Sequence, residues 1–432
     1  MKILIKNGHL VDPSQSFNKQ ADIFIEDGRI AQVAPQISTP CDRVVEASGL
    51  TVIPGLIDMH THLREPGYEG KEDILTGTQA AAHGGVTTVA CMPNTKPVTD
   101  TSIVVCGIKA RAAQCALAHV EVMGAITKGS EGKELAEMGD MAAHGAVAFS
   151  DDGHQVTSAR MFLLAAQYAK SLHKPLVSHA IDEELNTQGF MHEGAMSAQL
   201  GIPGVPCVAE DIAVARDCLI AQYTGAHIHM AHISTKGAVD IVRYFKQQGV
   251  HVTAEATVHH LTLTDQACAS FNTAAKVSPP LRSAEHVQAV RAGLLDGTID
   301  IIVTDHAPHA PEEKDVEFRY APNGFPGLET SLAVLLTDLY HTGLVDLPTL
   351  INKMSCAPAK LFGLPGGTLK PGAPADIALV DLQREWTVNS QHFYTRGKFS
   401  PFEGKACRGQ VVATMLAGKF VMENGEIICN KN

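Results

Sequence analysis

His60 and His62 lie two residues apart at the end of the run Leu56-Ile57-Asp58-Met59-His60. Successive side chains on a strand alternate faces, so these two imidazoles project to one side and can hold one metal ion. An HxH pair alone is a weak sign. It gains weight because His179, His232 and Asp305 close three further apolar runs, and Asp151-Asp152 closes a fourth. Imidazole and carboxylate donors with no thiolate suit zinc, with manganese, cobalt or iron as competitors. Five or six such donors exceed the three protein ligands typical of a mononuclear catalytic zinc, which points to two metals sharing a bridge. On this reading His60, His62 and Asp305 hold one metal and His179 and His232 the other, and Asp151 or Asp152 spans them. Such a pair makes a hydroxide nucleophile at neutral pH and a Lewis acid for a carbonyl oxygen. The reaction class is hydrolysis, or its reverse, at an amide-like carbon.

These donors need one rim to share. Short β-rich runs at Leu56 to His60, Val86 to Met92, Val120 to Ile126, Ala146 to Phe149, Leu176 to His179, His227 to His232, His251 to Thr257 and Ile299 to Thr304 alternate with Ala-, Leu- and Lys-rich stretches of helical spacing. Eight βα units predict an α/β protein with a (β/α)8 TIM-like barrel, whose strand ends converge on one face. Pattern alone also admits a doubly wound sheet. Both ends of the chain read differently: short alternating runs with the turns Asn7-Gly8, Asp27-Gly28 and Asn424-Gly425 predict strands. Neither end is long enough for a core alone, so residues 1–53 and 365–432 are expected to combine into one small β-sandwich around a barrel at 54–364.

Composition narrows the function classes. The chain has 432 residues, 45% hydrophobic and 19% charged, with a net charge of -12. That apolar share supports a folded core, and an acidic surface repels phosphate backbones, so nucleic acid is not an expected partner. No run reaches the roughly 18–20 apolar residues of a membrane span. The opening MKILIKNGHLVDP is broken by Asn7, Gly8 and Asp12 before a signal-like core develops. The ten cysteines are scattered without a CxxC pair, as expected of reduced thiols in a cytoplasmic protein.

The surrounding residues resemble a known family. Pro54 to Gly67 (PGLIDMHTHLREPG), Met92 to Thr95, Phe149 to Gly153, Glu255 to Leu261, Pro279 to Arg282 and Thr304 to His309 are similar to the motifs of dihydroorotases, within the cyclic-amidohydrolase superfamily. The likeness covers nearly the whole chain, including the split terminal unit. It implies reversible closure of N-carbamoyl-L-aspartate to L-dihydroorotate in pyrimidine biosynthesis, by a hydroxide bridging two zinc ions. It further implies that Asp305 is both metal ligand and proton shuttle, and that Arg64 clamps the substrate carboxylate. Asn94 and His309 would hydrogen-bond the substrate, and Asn323 and Gly324 would meet the ring through the backbone. A homodimer, and association with aspartate transcarbamoylase, are expectations of the same kind.

Two departures matter. Hydantoinases and allantoinases carry a carbamylated lysine where this chain has Asp152, so the resemblance is to the branch that bridges its metals with aspartate, and Asp152 is preferred to Asp151. Ser278 stands where family members often carry asparagine, a shorter reach for a substrate contact. His259 and His260 read as structural, and His83, His144, His173 and His341 as surface or capping residues. Arg64 could instead pair with Glu65 or Glu69. The Glu- and Lys-rich segment 308–320 reads as a solvated loop or a lid.

Overall fold

The computed structural model describes residues 1–186 and 189–428. Eight parallel strands run in chain order: β1 Leu56–Thr61, β2 Val86–Cys91, β3 His119–Gly124, β4 Ala146–Ser150, β5 Leu176–Ser178, β6 Ile228–Met230, β7 Val252–Thr257 and β8 Ile301–Val303. After the first seven strands come helices α1 Ile74–His83, α2 Ser102–Cys115, α3 Met138–Ala143, α4 Ala159–Ser171, α5 Val208–Thr224, α6 Lys236–Gln247 and α7 Ala284–Asp296. The barrel closes where Thr61 bridges His306 in parallel and the His62 amide donates to the His306 carbonyl at 2.8 Å. This is the barrel that the eight runs predict, and it disposes of the doubly wound alternative.

Strands covered on both faces read as unbroken apolar runs, and β4, Ala-Val-Ala-Phe-Ser, is buried throughout. Ile57, Met59, Val147, Val177, Ile301 and Val303 pack as one cluster drawn from strands on opposite sides of the barrel. Ala359 and Phe362, from the helix Ala357–Phe362, join it. A buried hydrogen bond aids closure: the Asp58 carboxylate, between the two closing strands, accepts from the Thr304 hydroxyl at 2.5 Å.

The terminal segments form one nine-stranded sheet, in which Thr51–Pro54 pairs with Lys2–Asp12 on one side and Ile377–Thr387 on the other. Ile3, Ile23 and Ile25 from the N-terminal part pack with Ile377, Leu379 and Met415 from the C-terminal part. An Arg29–Pro374 bridge brings the outer N-terminal strand back to the C-terminal part. The two layers of the expected sandwich are thus halves of a single curled sheet around a shared core. Among the described residues no helix is long and apolar enough to cross a membrane.

Candidate metal centre and substrate cavity

Five strand ends deliver the donors. β1 presents His60 and His62, β4 leads into Asp152, β5 into His179, β6 into His232 and β8 into Asp305. All six are buried. Asp152 lies among four imidazoles: Oδ1 is 3.3 Å from His60 Nε2, 3.3 Å from His179 Nδ1 and 3.5 Å from His232 Nε2, and Oδ2 is 3.5 Å from His62 Nε2. Asp305 Oδ1 is 3.1 Å from His62 Nε2 and 3.6 Å from His60 Nε2. His179 Nδ1 and His232 Nε2 stand 2.8 Å apart. Two triads therefore have donor atoms within 4.8 Å of one another, His60-His62-Asp305 and His60-Asp152-His232, and His60 belongs to both.

The orientation of the rings is what fits a cation. His60 Nδ1 donates to Glu255 Oε1 at 2.6 Å, and His62 Nδ1 donates to Asn94 Oδ1 at 2.9 Å. With Nδ1 engaged in this way, each ring turns Nε2 inward toward the carboxylate oxygens, where a metal ion would take its lone pair. His60 Nε2, which faces this cluster, has no hydrogen-bond partner although buried, a state that costs free energy unless something positive fills it. Charge says the same. Burial opposes ionisation of Asp152, but His60, His179 and His232 hold its carboxyl well below the usual carboxylate range. Burial likewise opposes Asp305, yet His60, His62 and His232 bring it down to about 2. Three buried carboxylates, Asp152, Asp305 and Glu255, so demand compensating positive charge, and a metal cofactor fits the donor set.

Backbone geometry marks the same place. Arg64, His232 and Asp305 have φ of 62°, 33° and 48°, the left-handed region that non-glycine residues avoid and that clusters at functional sites.

The cluster opens into a cavity of about 370 Å³, lined by His62, Asp152, His179, His232 and Asp305 on one side and by Arg64, Asn94, Ser278, His309, Asn323 and Gly324 on the others. All of the substrate residues expected from sequence thus border it. Arg64 Nε donates to the Pro308 carbonyl at 3.2 Å. Its alternative partners are engaged elsewhere: Glu65 pairs with Arg111 at 3.0 Å, and Glu69 accepts from the Gly67 amide at 2.7 Å. His309 Nε2 donates to the Asn323 carbonyl at 2.8 Å, and burial followed by Arg64 pushes its pKa down to about 3, so its ring is neutral.

Asp151 has a different task from Asp152. Its Oδ1 accepts from the amides of Ile126 and Thr127 at 2.8 and 3.1 Å, and Oδ2 accepts from the Thr127 hydroxyl at 2.5 Å. His260 is held by Thr257 and the Pro279 carbonyl, and His259 packs on Phe325; neither belongs to the donor triads.

Sequence reasoning gave no role to Glu255, which also holds His229 Nε2 at 3.0 Å and the His232 amide at 3.2 Å. A carboxylate inside strand β7 was the available signal, because a buried charge must be paired. His154, Glu183 and Asn186, which also line the cavity, had no spacing to reveal them. The segment after His309 is tied down rather than solvated. Lys314 is buried and donates to the carbonyls of Thr273, Lys276 and Pro322, and Lys276 donates to those of Phe318, Arg319 and Ala321.

Comparison with known proteins agrees with this geometry. Residues 49–238 match the family model described as dihydro-orotase-like. Dihydroorotase of Syntrophus aciditrophicus is 50% identical over 425 residues, 98% of this chain and all of that protein. Dihydroorotase of Pelotomaculum thermopropionicum is 50% identical over 424 residues, 98% of this chain and 99% of that one. Among solved structures, the L-hydantoinase (dihydropyrimidinase) of Arthrobacter aurescens superposes with a TM-score of 0.89 at 28% identity, covering 99% of this chain and 97% of its own. With half of its residues shared along its whole length, this chain belongs to the dihydroorotase family.

Proposed function

We propose that this enzyme interconverts N-carbamoyl-L-aspartate and L-dihydroorotate in pyrimidine biosynthesis, with two zinc ions held by His60, His62, Asp152, His179, His232 and Asp305. The observation that carries the reading is one carboxylate, Asp152, within 3.3–3.5 Å of four imidazoles at the wall of a cavity that also holds Arg64. Divalent ions bound there would bring the pKa of a water toward neutrality and polarise a carbonyl oxygen.

The protein's own groups do the rest. Arg64 offers a planar fork to the ring carboxylate. Hydrolysis adds water oxygen to the ring carbonyl carbon, breaks the C–N bond and leaves a proton on nitrogen. Asp305 takes that proton from the attacking water and returns it to the departing nitrogen, and ring closure runs the same path backward. Asn94 and Glu255 fix the rings of His62 and His60, while Ser278, His309, Asn323 and Gly324 frame the substrate.

A hydantoin ring needs no carboxylate clamp, so Arg64 favours dihydroorotate over the substrates of the hydantoinase neighbours. Parallel assays of dihydroorotate and hydantoin hydrolysis test this; turnover of hydantoin alone overturns it. Asp305→Asn should lower kcat by about 10²–10⁴-fold while metal stays bound, and undiminished kcat would remove Asp305 from proton transfer.

A homodimer is supported by an exposed apolar stripe on α5, where Val208, Ile212, Leu219 and Tyr223 are 45–77% accessible, and its mass at rising concentration is the check. Association with aspartate transcarbamoylase rests on the family resemblance, and co-sedimentation of the two proteins tests it.

A further inference from the structure

The described residues hold a third group of metal-competent donors, and it lies outside the catalytic cavity: His192, Cys207 and His286 bring one donor atom each within 4.8 Å of one another. They come from separate elements. His192 ends the two-residue strand Met191–His192, Cys207 immediately precedes α5, and His286 sits in the first turn of α7. None of the three lines the catalytic cavity. We propose that these residues form a structural site for a thiophilic divalent cation of the zinc class, which clips the loop after β5 to α5 and α7.

Geometry is the first support. Zinc bonds to sulfur at about 2.3 Å and to imidazole nitrogen at about 2.0–2.1 Å, so a tetrahedral ion separates S and N by about 3.6 Å. Cys207 Sγ is 3.2 Å from His286 Nε2 and 3.8 Å from His192 Nδ1, on either side of that value. The catalytic donors in the same molecule are spaced comparably. Three protein donors leave the fourth position to water.

The environment is the second. His192 is buried at 4% accessibility and its Nδ1 faces Cys207 Sγ. Glu210, Asp211 and Glu193 add negative charge near Cys207, against the positive charge of Arg282. Arg282, whose charge reaches all three donors, pairs with Glu210 at 3.2 Å and donates to Ser234 at 3.0 Å. Coordination releases the thiol proton to solvent. It also moves the hydrogen of His286 from Nε2 to Nδ1, which now accepts from the Lys236 amide at 3.0 Å; that amide opens α6 at an exposed position, where water can take over.

The catalytic centre has no sulfur donor, which separates the two sites spectroscopically. Holoenzyme loaded with cobalt in place of zinc should show a near-ultraviolet sulfur-to-cobalt charge-transfer band. Cys207→Ser and His286→Asn should each hold one metal equivalent less than the parent, with turnover within about twofold of it, and the band should vanish in Cys207→Ser. Retained turnover certifies that the variants are folded. Equal metal content in all three proteins, or a band that persists in Cys207→Ser, overturns the assignment.

Discussion

Glu255 does not line the cavity, yet it anchors two of the proposed metal ligands, and Glu255→Gln isolates the effect of that anchor. Its Oε1 holds His60 Nδ1 at 2.6 Å and the His232 amide at 3.2 Å, while Oε2 holds His229 Nε2 at 3.0 Å. Glutamine is of the same size and keeps the acceptor on the His60 side. Its amide donates to His229, whose other nitrogen shares the Thr253 hydroxyl at 2.8 Å and can exchange donor for acceptor there. The fold therefore survives, and what disappears is the charge that makes His60 a stronger donor. Removing such a partner costs about 10- to 100-fold in metal affinity or activity, or about 1.4–2.7 kcal/mol. Competition for zinc against a coloured chelator measures the affinity, and turnover at saturating zinc measures the remainder. Affinity and turnover both equal to the parent's would refute the link between Glu255 and the metal.

Arg64→Gln should raise KM for carbamoyl-aspartate about 10- to 100-fold, the worth of a hydrogen bond to a charged group, with a smaller change in kcat; an unchanged KM would place the carboxylate elsewhere. A second prediction concerns pH. His119, which opens β3, pairs with Asp376 of the terminal segment at 3.1 Å, and that bond raises its pKa against the opposing effect of burial. A raised folded pKa stabilises fully below the unfolded value of about 6.5 and is lost as pH rises through the folded value. The melting temperature of His119→Gln should fall furthest below the parent's in mildly acidic buffer and approach it in alkaline buffer, and a gap independent of pH would contradict the pairing.

Much of this was legible in the sequence because barrel chemistry collects where strands end, and His60, His62, His179, His232 and Asp305 each close an apolar run. Asp151 and Asp152 could not be separated by pattern, since adjacent residues differ only in which way they turn, and the amides of Ile126 and Thr127 that claim Asp151 come from the preceding loop. Glu255 was hidden because its partners lie 195 and 26 residues away. Lys314 looked like a solvated charge in a polar loop; its burial depends on carbonyls contributed by residues 273, 276 and 322. The His192-Cys207-His286 group spans separations of 15 and 79 residues, so no local motif could announce it. The curled terminal sheet required knowing that Thr51–Pro54 has partners from both ends of the chain.

In the proposed enzyme, buried histidine and aspartate donors hold the metals that turn over dihydroorotate. Cys207→Ser protein, in which only catalytic ions should bind, is stripped with chelator and titrated with zinc while loss of the dihydroorotate ring is followed. Turnover should be absent without metal and reach its plateau at about two equivalents of zinc per chain. Turnover by protein verified to be metal-free, or none after full loading, would contradict the account.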